Sequence, residues 1–82
     1  MSGIAHCLVG YDRATERVAD EYVVPEAILP EAKVLARVPA NDPDAAMCYP
    51  LRPAAARDLA GIIHAAIDTG QRDYFLEGFA AD

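Results

Sequence analysis

The chain has 82 residues and a net charge of −6, because thirteen aspartates and glutamates outweigh seven lysines and arginines. A chain of this length forms one domain, residues 1–82, with a single hydrophobic core. We expect no direct binding of nucleic acid, because neutralising phosphates requires a basic face and the sequence shows none. The acidic excess either keeps a small protein soluble or faces a basic partner.

The first two apolar segments predict a β-hairpin. Residues 4–12 alternate weakly between apolar and polar, a turn-rich stretch follows at 12–15, and residues 16–24 then run to Pro25 with several β-branched residues. The turn lacks Asn-Gly or Asp-Gly, which predicts a longer connection built on a type I turn. In the second strand Val18 shares a face with Tyr22, and neither face is wholly apolar. This mixture indicates a sheet covered on one side, with this strand near an edge.

Residues 30–38 predict a short helix. Pro30 suits the first helical position, where its missing N–H has no intrahelical partner. Glu31 near the start and Arg37 near the end complement the helix dipole. The following residues, 39–44, read as a loop, and 45–51 as a region with a short strand. The expected buried side of the helix consists of Leu29, Val34, Leu35 and Val38.

Residues 53–69 form the most periodic segment and predict the main helix. Pro53 suits its first position and Gly70 the residue just beyond its end. Five apolar residues recur with helical spacing and should form one buried stripe: Leu59, Ile62, Ile63, Ala66 and Ile67.

Residues 72–79 read as the last strand, with Tyr74 and Leu76 on one face and Phe75 and Glu77 on the other. The order of elements is therefore β-β-α-(β)-α-β. This order predicts a two-layer α+β fold, in which a small antiparallel or mixed sheet carries two helices on one face.

No residue pattern indicates catalysis, a cofactor or a metal. His64 and Asp68 lie four apart on the predicted helix, but a catalytic pair needs a third group and a pocket. His6 and Cys7 are adjacent on a strand, so they point to opposite faces. Asp42 and Asp44 lack the further oxygen ligands of a calcium loop. We therefore expect a protein that is not an enzyme.

Cys7 and Cys48 stand in no metal-ligand spacing, and we expect both to be reduced and buried. The amino-terminal residues lack the features of a signal peptide, and no apolar run is long enough for a membrane span. These features predict a cytoplasmic protein without membrane contact, and we expect either a monomer or a weak homodimer.

Acidic residues cluster around the predicted hairpin and again near Asp68, Asp73 and Asp82. If the sheet brings the two groups together, they form a negative face that competes with phosphates for a basic groove. The alternative is a solvated surface. Tyrosines supply contact area beside such a face, and Tyr11 and Tyr49 belong to the same set of candidates. The predicted partner-binding residues are Asp12, Glu16, Asp20, Glu21, Tyr22, Asp73, Tyr74 and Glu77.

Several short segments together resemble a set of small uncharacterised bacterial domains. These segments are Tyr11-Asp12, Asp42-Pro43, the CYPL sequence at 48–51 and the DYFLE sequence at 73–77. The resemblance spans most of the chain and implies no established activity. Immunity and antitoxin roles are common among such domains.

The chain also resembles small, acidic, alanine-rich anti-CRISPR proteins of phages and prophages in size, acidity and lack of catalytic residues. That resemblance implies binding to a type I CRISPR surveillance complex and exclusion of DNA from its basic channel. The resulting hypothesis is a non-enzymatic inhibitor that covers a basic nucleic-acid-binding surface of an effector. The alternative is an immunity or antitoxin-like protein that occludes a cognate toxin.

Overall fold

The α+β class is confirmed by the computed structural model, which describes residues 3–81. Four strands and two helices follow one another along the chain, with a short 3₁₀ turn, Glu26–Ile28, before the first helix. The strands are β1 (Gly3–Asp12), β2 (Val18–Val24), β3 (Cys48–Leu51) and β4 (Arg72–Ala81), and the helices are α1 (Leu29–Leu35) and α2 (Pro53–Ile63). No helix within residues 3–81 has the length and apolar character needed to cross a membrane.

The sheet is antiparallel throughout, with the strand order β2-β1-β4-β3. The two long strands β1 and β4 lie in the centre, and Leu8 pairs with Tyr22 on one side and Leu76 on the other. The predicted hairpin is therefore present, and β2 is an edge strand as expected. The other edge, β3, contains Pro50, which has no N–H to donate to a further strand.

One face of the sheet packs against both helices and forms the core. Leu8, Leu59 and Leu76 are completely buried there. The helices contribute mainly alanines, whose small side chains let the helix backbones approach the sheet closely. The alanine content thus supplies the helical half of the core, in the form of Ala32, Ala36, Ala55, Ala56 and Ala60.

Both helices end earlier than their apolar periodicity predicts. The expected end of α2 at Thr69 is wrong, because His64 adopts a left-handed conformation (φ 59°) and the helix stops at Ile63. The N–H of Ala65 then donates to the carbonyl of Ala60 at 2.8 Å, a bond typical of a Schellman helix end. Ile67 packs against the core from the extended segment that follows.

The same motif ends α1 at Leu35. Arg37 has φ 56°, and the N–H of Val38 donates to the carbonyl of Lys33 at 3.0 Å. The expected burial of Val34 is wrong, since this side chain is 77% exposed, and Ala32 takes its place in the core. Ile62 on α2 is also 39% exposed.

A β-bulge changes the face of one residue in β2. Gly10 pairs with Asp20 and Tyr11 with Val18, so Ala19 is an extra residue on the β2 side. Val18 therefore lies on the same face of the sheet as Tyr11, and not with Tyr22 as strict alternation predicts.

The loop between α1 and β3 is fixed by polar contacts. His6, which is 5% exposed, contacts the carbonyls of Asp44 and Ala45 through Nε2 at 2.9 and 3.1 Å, so Nε2 must carry the proton. The Asp42 carboxylate accepts bonds from the Tyr49 hydroxyl and from the backbone, and these bonds hold the pKa of Asp42 below its ordinary value. Asp42 thus organises this loop.

Candidate partner-binding face

The side of the sheet opposite the helices is uncovered and is called the open face here. Side chains alternate along each strand, so the residues between those of the core point to this side. The open face includes Val18, Glu21 and Val23 on β2; Ala5, Cys7, Val9 and Tyr11 on β1; Asp73, Phe75, Glu77 and Phe79 on β4; and Cys48 and Pro50 on β3.

The centre of the open face is apolar. Val9 is only 1% exposed although no helix lies over it, and its neighbours across the strands are Glu21 and Phe75. The Phe75 ring packs edge-to-face against Tyr11, with the ring centroids 5.5 Å apart. Val23 remains 72% exposed. The apolar area that this face presents to solvent therefore comes from Val18, Val23 and Phe79 and not from Val9.

A shallow groove of about 450 Å³ lies at the hairpin end of this face. Its floor includes the rings of Tyr11 and Phe75, and three carboxylates surround them. The one cation in the lining, Arg13, is already ion-paired with Asp73 at 2.9 Å and donates to backbone carbonyls of Thr69 and Gly70. The groove is therefore acidic overall, and its lining residues are Tyr11, Asp12, Arg13, Glu16, Cys48, Asp73 and Phe75.

Local hydrogen bonds fix the loop that carries the acidic side chains. Asp12 Oδ1 accepts the N–H groups of Ala14 and Thr15 at 2.8 and 3.2 Å, and the N–H of Glu16 donates to the Asp12 carbonyl at 2.7 Å. Glu16 has φ 60° and is exposed. Asp12 therefore shapes the loop, while Glu16 is free to meet a partner.

Glu77 joins three strands on the open face. Its Oε2 accepts the Tyr11 hydroxyl at 2.5 Å and the Cys48 thiol at 3.5 Å. The bond to Glu77 is the main reason that the pKa of Tyr11 rises to about 12. Partial desolvation of the thiol, followed by the Glu77 carboxylate, raises the pKa of Cys48 to about 11. Burial, followed by the carboxylates of Glu21 and Glu77, also raises the pKa of Cys7.

Replacing Glu77 with glutamine should move the pKa of Tyr11 from about 12 toward its ordinary value of 10.0, because the charged acceptor is lost. The raised value means that the bond stabilises the fold below pH 10.0 and that this contribution disappears as the pH rises through about 12. The ultraviolet absorbance of tyrosinate measures the shift, and Tyr11→Phe identifies the Tyr11 step. Glu21→Gln is the control and should lower the pKa of Tyr11 by less than Glu77→Gln does. An unchanged Tyr11 step in Glu77→Gln would contradict the assignment.

The expectation that both cysteines are buried is wrong for Cys48, which is exposed, and Cys7 is half-buried. Both lie on the open face, on strands separated by β4. Two strand spacings of about 4.8 Å exceed the Cα separation that a disulfide spans. Within residues 3–81, no three His, Cys, Asp or Glu side chains are placed to hold a metal ion.

The structure divides the predicted partner-binding residues between the two sides of the sheet. Asp12, Glu16 and Asp73 line the groove, and Glu21 and Glu77 lie farther along the open face. These five come together because β1 pairs with β4.

The other three lie on the helical side and have structural roles. Tyr74 is 2% exposed, and its hydroxyl donates to Asp20. Asp20 is also ion-paired with Arg72 at 2.9 Å. The Tyr22 hydroxyl donates to the carbonyl of Ala66 at 2.7 Å. Tyr49 likewise faces the core, so Tyr11 is the tyrosine of the open face.

Sequence reasoning missed Phe75 and Cys48 as lining residues of the groove. The signal for Phe75 was present, since strand alternation places it beside Glu77 and opposite Tyr74. The position of Cys48 depends on the pairing of β3 with β4, which the sequence does not reveal. His64, considered as a partner of Asp68, is instead the residue that ends α2.

Comparison with known proteins shows a match to a family described as a domain of unknown function, DUF7683, over residues 5–77. The chain belongs to this family. The matched part of the DUF7683 domain runs from β1 to Glu77 in β4 and so includes both sides of the acidic groove. No curated protein and no solved structure matches the chain.

Proposed function

We propose that this DUF7683 domain is a non-enzymatic inhibitor that binds a basic surface of a larger effector through its open face. The observation that supports this proposal is the groove, where three carboxylates surround the rings of Tyr11 and Phe75. A lysine or arginine side chain gains there both from the carboxylates and from the faces of the aromatic rings.

The rest of the open face extends this contact. Glu21 and Glu77 place further negative charge beside the exposed apolar side chains of Val23 and Phe79. Buried apolar area supplies affinity, whereas the charges select a basic partner and accelerate association. A basic groove that normally holds nucleic acid meets both requirements, because such grooves combine arginine and lysine with aromatic side chains.

Two effectors are candidates. A type I CRISPR surveillance complex offers a basic DNA channel, and covering that channel would prevent binding of target DNA. The alternative is a cognate toxin, which the apolar centre of the open face favours, because a toxin–immunity contact depends on a well-packed patch. In that case Phe75 and Val23 would dominate the interface.

Charge reversal at Glu16 and Glu21 should weaken binding of a type I surveillance complex by roughly tenfold or more, because each loses attraction and adds repulsion. Neither side chain has a hydrogen bond or ion pair within residues 3–81, so the fold should persist. Glu26→Lys/Glu31→Lys is the matched control, since it changes the net charge equally on the helical side.

Gel-filtration co-migration and target-DNA binding at two salt concentrations measure the effect. Wild-type protein and the control should co-migrate with the complex and block DNA, more weakly at high salt. Equal loss in both variants would show a response to net charge alone and would contradict the open face as the interface. Absence of co-migration would reject this effector. Binding of a toxin that persists in high salt but fails in Phe75→Ala would support the alternative.

A further inference from the structure

Three arginines line one cavity on the helical side, away from the acidic open face. Arg37 follows α1, Arg52 immediately precedes α2, and Arg57 lies in the second turn of α2. The cavity has a volume of about 670 Å³. In a chain with seven lysines and arginines and a net charge of −6, this concentration of cations stands out.

These guanidinium groups are not neutralised by carboxylates of the described chain. The two ion pairs within residues 3–81 use Arg13 and Arg72 instead. Arg57 donates one bond to the hydroxyl of Thr69 at 2.9 Å and retains its other donors. Asp58 also lines the cavity but forms no ion pair there. Three positive groups therefore face one negative group in a single concavity.

An apolar groove adjoins the arginine cavity. It has a volume of about 670 Å³ and lies between α1 and α2, where Val34, Leu35 and Asp58 border both hollows. Val34 is 77% exposed and Ile62 is 39% exposed. Glu31 and Asp58 also line the apolar groove. Their negative charges disfavour a ligand that would place an anionic group in this groove.

We propose that this surface binds an organic phosphate monoester, with the phosphoryl group on the three arginines and an uncharged organic body in the groove between the helices. Guanidinium groups bind phosphate oxygens through paired, charge-assisted hydrogen bonds, and three of them match a dianion better than a single carboxylate. The apolar wall at Val34 and Ile62 favours an ester over the free inorganic ion. This site is independent of the open face and of its partner.

Titrations with phenyl phosphate and with inorganic phosphate, followed by amide chemical shifts, test the proposal. Phenyl phosphate should bind several-fold more tightly than inorganic phosphate. Arg37→Gln and Arg52→Gln should each weaken both ligands roughly tenfold. Val34→Ser should weaken phenyl phosphate alone, and Asp58→Asn should tighten both ligands. Arg17→Gln is the control, because Arg17 is exposed in the hairpin loop and remote from the cavity.

Equal losses in Arg52→Gln and Arg17→Gln would show an adventitious ion only and would overturn the site. Equal affinities for the two ligands, with no effect of Val34→Ser, would overturn the assignment of the groove to the organic body. Both outcomes are measured with the two small ligands alone, so they are independent of whether the open face binds an effector.

Discussion

Replacing Gly10 with alanine should destabilise the domain by about 2–3 kcal/mol, the upper part of the range for overpacked cores. A Cβ atom at this position would lie 2.5 Å from Cε1 and 2.9 Å from Cζ of Tyr74. These distances are far below van der Waals contact. Space alone requires glycine here, because Gly10 has no positive φ that would itself favour glycine.

Burial and hydrogen bonds prevent the Tyr74 ring from moving away from an added Cβ atom. It is 2% exposed, its hydroxyl donates to Asp20, and the same oxygen accepts the N–H of Asp68 at 3.0 Å. Any shift that relieves the clash must break these bonds or displace the core around Leu8. The destabilisation should therefore approach the full cost of overpacking.

Urea unfolding of Gly10→Ala and Gly61→Ala measures this effect against a matched control. Gly61 lies exposed in α2 with nothing within 4 Å of an added Cβ, so its replacement should stabilise the domain by about 0.5–1 kcal/mol. The same chemical change thus has opposite signs at the two sites. A Gly10→Ala variant as stable as the wild-type protein would contradict the packing of Tyr74 against β1.

Replacing Asp20 with alanine should cost about 1–3 kcal/mol of unfolding free energy, because it leaves the buried Tyr74 hydroxyl without its acceptor and removes the ion-pair partner of Arg72. The Asp20 side chain is 13% exposed and that of Arg72 is 29% exposed. Arg72 Nε is buried without a hydrogen-bond partner, so Asp20 is the side chain that holds this guanidinium. The Tyr74 hydroxyl loses its acceptor in the same substitution.

Comparison of Asp20→Ala with Asp20→Asn and Glu21→Ala isolates the cause. The Asp20→Asn variant keeps a hydrogen-bond acceptor at position 20, so it should be less destabilised than Asp20→Ala. The Glu21→Ala substitution on the opposite face should change the unfolding free energy by no more than about 0.5 kcal/mol. Thermal unfolding should show the same order. If Asp20→Ala and Glu21→Ala are equally stable, the proposed role of Asp20 inside the fold is wrong.

Sequence periodicity predicted the elements but not their ends. Alternation in residues 72–79 placed Tyr74 and Leu76 on one face, and the structure confirms that they share a face. That face is the one covered by the helices, so the selection of Tyr74 as a partner-binding residue was wrong. The end of α2 was missed because the apolar spacing continues through Ile67, while backbone conformation at His64 stops the helix. A histidine is less common than glycine in that conformation, although it is among the residues that adopt it. The bulge at Ala19 likewise leaves no mark in the pattern.

The candidate site could be predicted only in part. The acids of the hairpin and of β4 were identifiable as residues, but their assembly depends on the pairing of β1 with β4. Asp20 and Glu21 are adjacent carboxylates, yet one is ion-paired with the half-buried Arg72 and the other meets solvent. Which face of an edge strand is covered follows from the position of the helices, a property of the whole fold.

The pairing of β1 with β4 also determines when the domain can form. Asp12 pairs with Arg72 and Gly3 with Ala81, so the central ladder joins segments that are sixty or more residues apart. Closing such long loops before any ladder bond forms slows folding, and chains with many distant contacts fold in roughly milliseconds to seconds. During synthesis, β1 can pair only with β2 until β4 has emerged from the ribosome. Until then the apolar side chains of β1 are open to chaperones and to other nascent chains.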